Sequence, residues 1–153
     1  MTDTAGGRLA GLDFAAVSPE EFAQLVKQLT AGEIEELMRG EFRARALGEI
    51  FARMERQFRP ESAGSLTALI RWKITGETEA VYETAIDAGT CTVRAGRTEA
   101  EPRVTLVMGD AEFLRLVSGN GSPVTMFMTR KLKVAGDVGM ASGLTRLFDI
   151  PKA

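Results

Sequence analysis

The sequence predicts an α+β domain in which helices cover one face of a mainly antiparallel sheet. Three observations predict it. The apolar spacing switches from helical to two-residue alternation after Gly64, and back to helical after Met108. Helix-start chemistry precedes the helical stretches, as in Ser18-Pro19-Glu20-Glu21 and Ser122-Pro123. Asp87-Ala88-Gly89 separates two strand-like runs, as in a hairpin.

Residues 1–17 read as a tail, because Gly6, Gly7 and Gly11 interrupt any period. Ser18 can cap the next segment, with Glu21 reaching back in a capping box, and Phe22, Leu25, Val26 and Leu29 follow at helical spacing. Thr30 to Glu33 repeats the signal ahead of Ile34, Leu37 and Met38. A third, longer helix carries Leu47, Ile50, Phe51, Met54 and Phe58 on one face. Glu41–Arg45, Glu49–Arg53 and Glu55–Arg59 place an acid four residues before a base, which suits a charged outer face. Pro60 ends that run.

Leu66, Ala68, Ile70, Trp72 and Ile74 then alternate with Thr67, Leu69, Arg71, Lys73 and Thr75, predicting a long strand. Ala80 to Asp87 and Thr90 to Ala95 form the expected hairpin. Val104, Leu106 and Met108 face one way along a fourth strand. Asp110 is expected to cap a short helix with Phe113, Leu114, Leu116 and Val117, stopped by Gly119-Asn120-Gly121. Another helical turn holds Met126 and Phe127. Lys131 to Ala135 alternates as a last strand, with both lysines expected on its polar face, and Asp137 caps a final helix bearing Met140, Leu144, Leu147 and Phe148, closed by Pro151.

Composition narrows the chemistry. The 153 residues hold 19 Lys plus Arg against 21 Asp plus Glu, one cysteine and no histidine. Imidazole-based nucleophile systems and imidazole metal ligands are thereby excluded, as are an intrachain disulfide and a four-cysteine zinc site. A net charge of −2 gives no electrostatic reason to expect nucleic acid. No apolar run approaches the length needed to span a bilayer, and Met1 to Ala16 lacks the layout of a signal peptide, so a cytoplasmic protein is expected.

Few residues invite catalysis. Glu33, Glu35 and Glu36 read as a solvated helix face. Cys91 reads as a small buried hydrophobe in a strand. Gly119-Asn120-Gly121 follows a helix and lacks the rest of a phosphate loop. Arg130, Lys131 and Lys133 form a basic patch, read either as a protected edge strand or as a contact for anionic lipid. The C-terminal third is rich in flexible apolar side chains, which suits an ordinary core or the lining of a lipid cavity; spacing leaves both open.

One further observation favours the cavity. A strand from Val104 leads into Asp110-Ala111-Glu112-Phe113 and a helix that stops at Gly119. A Ser122-Pro123 turn, a Lys131-Leu132-Lys133 strand and a short segment from Gly143 to Phe148 follow. In order and spacing this resembles the sterol carrier protein family, type 2, and a weaker similarity extends back to the Ile50–Phe58 helix. Thr129-Arg130 departs from the pattern, standing where that family usually has a small turn and a glycine. The chain also lacks a Ser-Lys-Leu-like ending, and residues 1–45 lie outside the resemblance.

The resemblance implies about five strands with helices over one face enclosing an apolar tunnel. It divides the chain into a tail (1–17), an N-terminal helical extension (18–45) and a lipid-binding domain (46–153). The implied lining is Phe113, Leu116 and Val117, then Met126 and Phe127, with Trp72, Leu106 and Met108 as sheet wall and Leu144, Leu147 and Phe148 as a lid. The expected function is non-catalytic binding of a sterol, fatty acid or acyl chain, or isoprenoid lipid, without a cofactor or metal. The alternative is an interaction or homodimer module presenting Phe22, Leu25, Val26 and Leu29. An enzyme is the third reading, since no constellation of residues suggests a reaction.

Overall fold

In a computed structural model, residues 18–39, 41–76 and 78–148 are described; the expected tail at 1–17 and the stop at Pro151 lie outside them. The N-terminal part comprises α1 (Pro19–Lys27), α2 (Ala31–Leu37), α3 (Glu41–Gln57) and the turn α4 (Pro60–Ala63). Ser18 Oγ accepts the Glu21 amide at 3.1 Å, which caps α1. At α2 the capping box is complete: Thr30 Oγ1 accepts the Glu33 amide, and Glu33 Oε1 accepts the Thr30 amide.

The sheet is built from β1 (Thr67–Thr75), β2 (Ala80–Asp87), β3 (Thr90–Ala95), β4 (Val104–Gly109) and β5 (Leu132–Gly136), in the order β3-β2-β1-β4-β5. Its pairs are antiparallel except β1 with β4. The β2–β3 hairpin turns through Ala88 (φ 44°) and Gly89 (φ 95°), the left-handed pair that matches strand twist. The remaining helices are α5 (Asp110–Val117), α6 (Pro123–Met128), α7 (Val138–Ser142) and α8 (Leu144–Leu147). The last predicted helix is thus two short turns divided at Gly143.

Period-two alternation divides the sheet into two unlike faces. Ala68, Ile70, Trp72 and Ile74 of β1 and Val104, Leu106 and Met108 of β4 are buried under the helices. The opposite face carries the alternating polar residues, yet Arg71 and Glu83 are buried there. A parallel β1–β4 pair needs a crossover. After β3 the chain runs back past this face, and Arg71 Nη2 donates to the Thr98 and Ala100 carbonyls of that connection. Arg71 Nε also donates to Glu83 Oε2 at 2.7 Å. Burial raises the Glu83 pKa, but hydrogen bonding at Thr98 and Arg71, with the Arg71 charge, outweighs it and leaves the carboxyl below its ordinary value.

The N-terminal helices join the same core. Phe22, Leu25, Val26 and Leu29 are all buried within the single chain, so that face is unavailable for the docking role considered for it. The expected boundary at 45/46 falls inside α3, whose buried face runs from Arg43 to Met54. Arg53 lies on that face rather than in a surface pair with Glu49. Its guanidinium sits 5.7 Å from the Phe22 ring centroid, and Nη1 lacks a hydrogen-bond partner. Helical spacing allowed both outcomes. The packing of α1 against this side of α3 decided it.

Candidate functional site

The register of the strands assembles the sheet wall. Trp72 stands opposite Leu106 and Ile74 opposite Met108, while Leu106 pairs with Val134 and Met108 with Leu132. Trp72 Nε1 donates to Thr84 Oγ1 at 3.0 Å, satisfying the indole inside the apolar layer. From α3, Phe51 packs into this wall. Its ring stacks on Tyr82 at 4.1 Å and Phe113 at 5.1 Å, and meets Trp72 edge-on at 5.8 Å. Trp72 and Phe113 therefore belong to a packed aromatic cluster that the sequence did not group with Phe51.

Of the eleven residues expected to line a cavity, Trp72, Leu106, Met108, Phe113, Leu116, Met126, Leu144, Leu147 and Phe148 are buried. Val117 is half-buried. Phe127 is not in this layer: it is 42% exposed on α6, because Met126 and Pro123 take the inward side of that short helix. The segment that was expected to form a lid is held against Phe58 and Arg59. Phe148 bridges Phe58 as a fragment of antiparallel ladder, their rings 5.9 Å apart, and the Arg59 amide donates to the Leu147 carbonyl at 2.8 Å.

Beside this segment lies an open cleft of about 650 Å³. Leu66, Met140 and Leu147 supply its apolar contacts, with Arg59, Arg103 and Arg146 among its lining. Of the expected lining residues, Leu147 alone borders it. Arg103 is oriented by Asp137, whose Oδ2 accepts Arg103 Nε at 3.0 Å while Oδ1 accepts the Met140 amide and caps α7. The Asp137 carboxyl lies below the ordinary range, first through the Met140 amide and then through Arg103. Arg103 and Asp137 are 34 residues apart in sequence, so no local motif announces the pair.

A smaller cleft of about 530 Å³ has a mixed lining that includes Glu35, Met38, Arg39, Thr75 and Asp110. Here the expectation for Asp110 fails. Gly109 occupies the cap position of α5, and the Asp110 carboxylate instead accepts Arg43 Nε at 3.0 Å. Arg43 also donates to Thr78 Oγ1 and the Ile74 carbonyl. Burial raises the Asp110 pKa; Arg43 opposes the shift, and the Glu35 and Glu112 charges add to it.

The thiol of Cys91 is pushed up to about 11, first by burial and then by the Glu55 charge, so it remains protonated at neutral pH. Glu33, Glu35 and Glu36 are exposed as a solvated face. The basic residues do not form one patch. Arg130 and Lys131 stand in the connection between α6 and β5, whereas Lys133 pairs with Val107 on the sheet face away from α5–α8. Among the described residues, no helix is long and apolar enough to cross a membrane.

Known proteins share this arrangement. The stereoselective inverting sec-alkylsulfatase of Pseudomonas sp. superposes with a TM-score of 0.62 at 14% identity, over 88% of this chain and 25% of that one. A conserved hypothetical protein of Thermus thermophilus, a candidate sterol carrier protein, gives 0.52 at 14% identity, over 64% of this chain and 78% of that one. At these identities the likeness concerns the fold. In sequence, the Hydroxysteroid dehydrogenase-like protein 2 of Xenopus laevis is 26% identical over 105 residues, or 69% of this chain. The chain spans about a quarter of that relative's length, matching 25% of it. Residues 48–149 match the model of the SCP-2 sterol transfer family. That segment takes in most of α3, the whole sheet and the helices over it, and the chain belongs to the SCP-2 sterol transfer family.

Proposed function

We propose that this domain binds a hydrophobic ligand, of the sterol, fatty acyl or isoprenoid class, between the covered face of the sheet and helices α5–α8, and does so without catalysing a reaction. The observation that carries this reading is the family match over residues 48–149, which spans the apolar sheet face and the helices above it. The cleft beside Leu147 offers a mouth at the end where α4, α7 and α8 meet. Access from there would displace Leu144, Leu147 and Phe148 before the aromatic layer at Trp72 and Phe113 is reached.

Burial alone supplies enough free energy. About ten methylenes at ~0.8 kcal/mol each give roughly 8 kcal/mol, the free energy of a micromolar Kd. Part of that offsets the packing given up when the lid opens, so ligands with longer or broader apolar bodies are favoured. No histidine is available, and the raised Cys91 thiol is a poor nucleophile, which supports binding over chemistry.

The test uses Trp72, the sole tryptophan. Titration with cis-parinaric acid and, separately, dehydroergosterol is expected to give saturable energy transfer from Trp72 at one ligand per chain. Native mass spectrometry should show the corresponding added mass. Absence of saturation with both probes, together with no mass shift, would reject the proposal.

A further inference from the structure

Four large apolar side chains are exposed among the described residues: Met128 at 76%, Val138 at 46%, Val124 at 45% and Phe127 at 42%. Three of them lie on one short helix and the fourth opens the helix that packs against it. Val124, Phe127 and Met128 occupy positions i, i+3 and i+4 of α6, so they share one side of that helix. Val138 begins α7, which packs against α6. An apolar group of this kind on a chain otherwise patterned to hide its hydrophobes marks an interaction surface.

The charge along this stretch of chain is one-sided. No Asp or Glu occurs between Glu112 and Asp137, and Asp137 is engaged by Arg103. Arg130 and Lys131 follow α6 directly and are exposed. Arg130 is also conformationally unusual. It closes α6 with φ 64°, its amide donating to the Phe127 carbonyl at 3.2 Å and the Lys131 amide donating to the Met126 carbonyl at 2.8 Å. This is the Schellman termination, whose left-handed position glycine occupies without steric cost and arginine does not. Arg130 thus holds a position that glycine would fill at less cost, and its side chain is exposed.

We infer that α6, the start of α7 and the Arg130-Lys131 turn form a docking surface for an anionic lipid bilayer. Val124, Phe127, Met128 and Val138 would enter the headgroup region while Arg130 and Lys131 pair with acidic headgroups. Charge complementarity selects this occupant over a neutral apolar partner. The cleft bordered by Met140 and Leu147 is also lined by Asp137 and Gly139, the neighbours of Val138, so docking through Val138 would bring it near the lipid surface. The docking surface stands on its own observations and does not require that any ligand occupy the cleft.

Co-flotation of the full chain with vesicles tests it. Vesicles of phosphatidylcholine with 30% phosphatidylserine should retain the protein, pure phosphatidylcholine should retain much less, and high salt should release it. Arg130→Gly should weaken binding about fivefold, the worth of one cation at the surface, while leaving the melting temperature equal or higher. Met128→Asp should weaken it by ~tenfold or more. Lys73→Gln, which makes the same charge change on the other face of the sheet, should bind as the parent does. Failure of the parent chain to bind anionic vesicles overturns the inference, as does parent-like binding by both Arg130→Gly and Met128→Asp. Gel filtration supplies another contrary result: a dimer that Met128→Asp converts to monomer, with no vesicle binding, would assign the face to a second copy.

Discussion

Arg43 and Asp110, 67 residues apart in sequence, meet as a buried ion pair with Nε and Oδ1 3.0 Å apart. The pair ties α3 to the start of α5, at the junction where β4 delivers the chain to the helical layer. Gly76 makes room for it: a Cβ there would collide with Asp110 Oδ2.

Removing one partner should cost more than the pair is worth. Arg43→Ala leaves a buried carboxylate without its cation and the Ile74 carbonyl without its donor, so a loss of about 3–5 kcal/mol is expected in urea unfolding. Asp110→Ala alone should also destabilise. The double variant should lose less than the sum of the two, because neither charge then remains stranded. Additive losses in this double-mutant cycle would show that the two side chains do not interact.

Asp137 should make stability depend on pH in acid. Its folded pKa is below the ordinary value, so its stabilising contribution is fully present above the unfolded pKa of 3.8 and is lost as pH falls through the folded value. Asparagine can still cap α7 but cannot pair with Arg103 as an anion. Asp137→Asn is therefore expected to melt below the parent at pH 7, with the difference shrinking below about pH 4. A difference that stays constant from pH 7 to pH 3 would contradict this account of Asp137.

Cys91 should react slowly with thiol reagents. With the thiol pushed up to about 11, its thiolate fraction at pH 8 is on the order of one in a thousand. Modification by a disulfide reagent should be slow at pH 8 and should accelerate as pH rises toward 11 in the folded protein. Replacing Glu55 with Gln removes a neighbouring negative charge and should speed the reaction at pH 8. Cys91 is half-buried rather than fully buried as expected, so rapid modification of the folded parent chain at pH 7 would contradict the raised thiol and not merely its exposure.

Much of the fold was legible because the signals are local. A hairpin turn at Asp87-Ala88-Gly89, a Thr30–Glu33 capping box and alternation from Ala68 to Ile74 each depend on residues a few positions apart, and the structure contains all three. The candidate site was legible only in part. Spacing identified Trp72, Leu106, Phe113 and Leu116 as apolar, but whether an apolar face meets ligand or protein depends on what lies opposite. The position of Phe51 among Trp72, Tyr82 and Phe113 comes from the packing of α3, on which β-strand alternation says nothing.

The sequence by itself determined most element types, the hairpin, the helix-covered side of β1 and β4 and the likeness to the SCP-2 sterol transfer family, since propensity, capping and motif order reside in short stretches. Tertiary structure decided the fate of the charged residues. Asp110 left its cap position for Arg43, Arg71 and Glu83 were buried by the β3–β4 connection, and Arg53 was drawn against Phe22. It also turned the α1 face inward and Phe127 outward. A charge takes its meaning from partners that can lie tens of residues away, and a helix face from whatever packs against it. Those relationships exist only once the chain has folded.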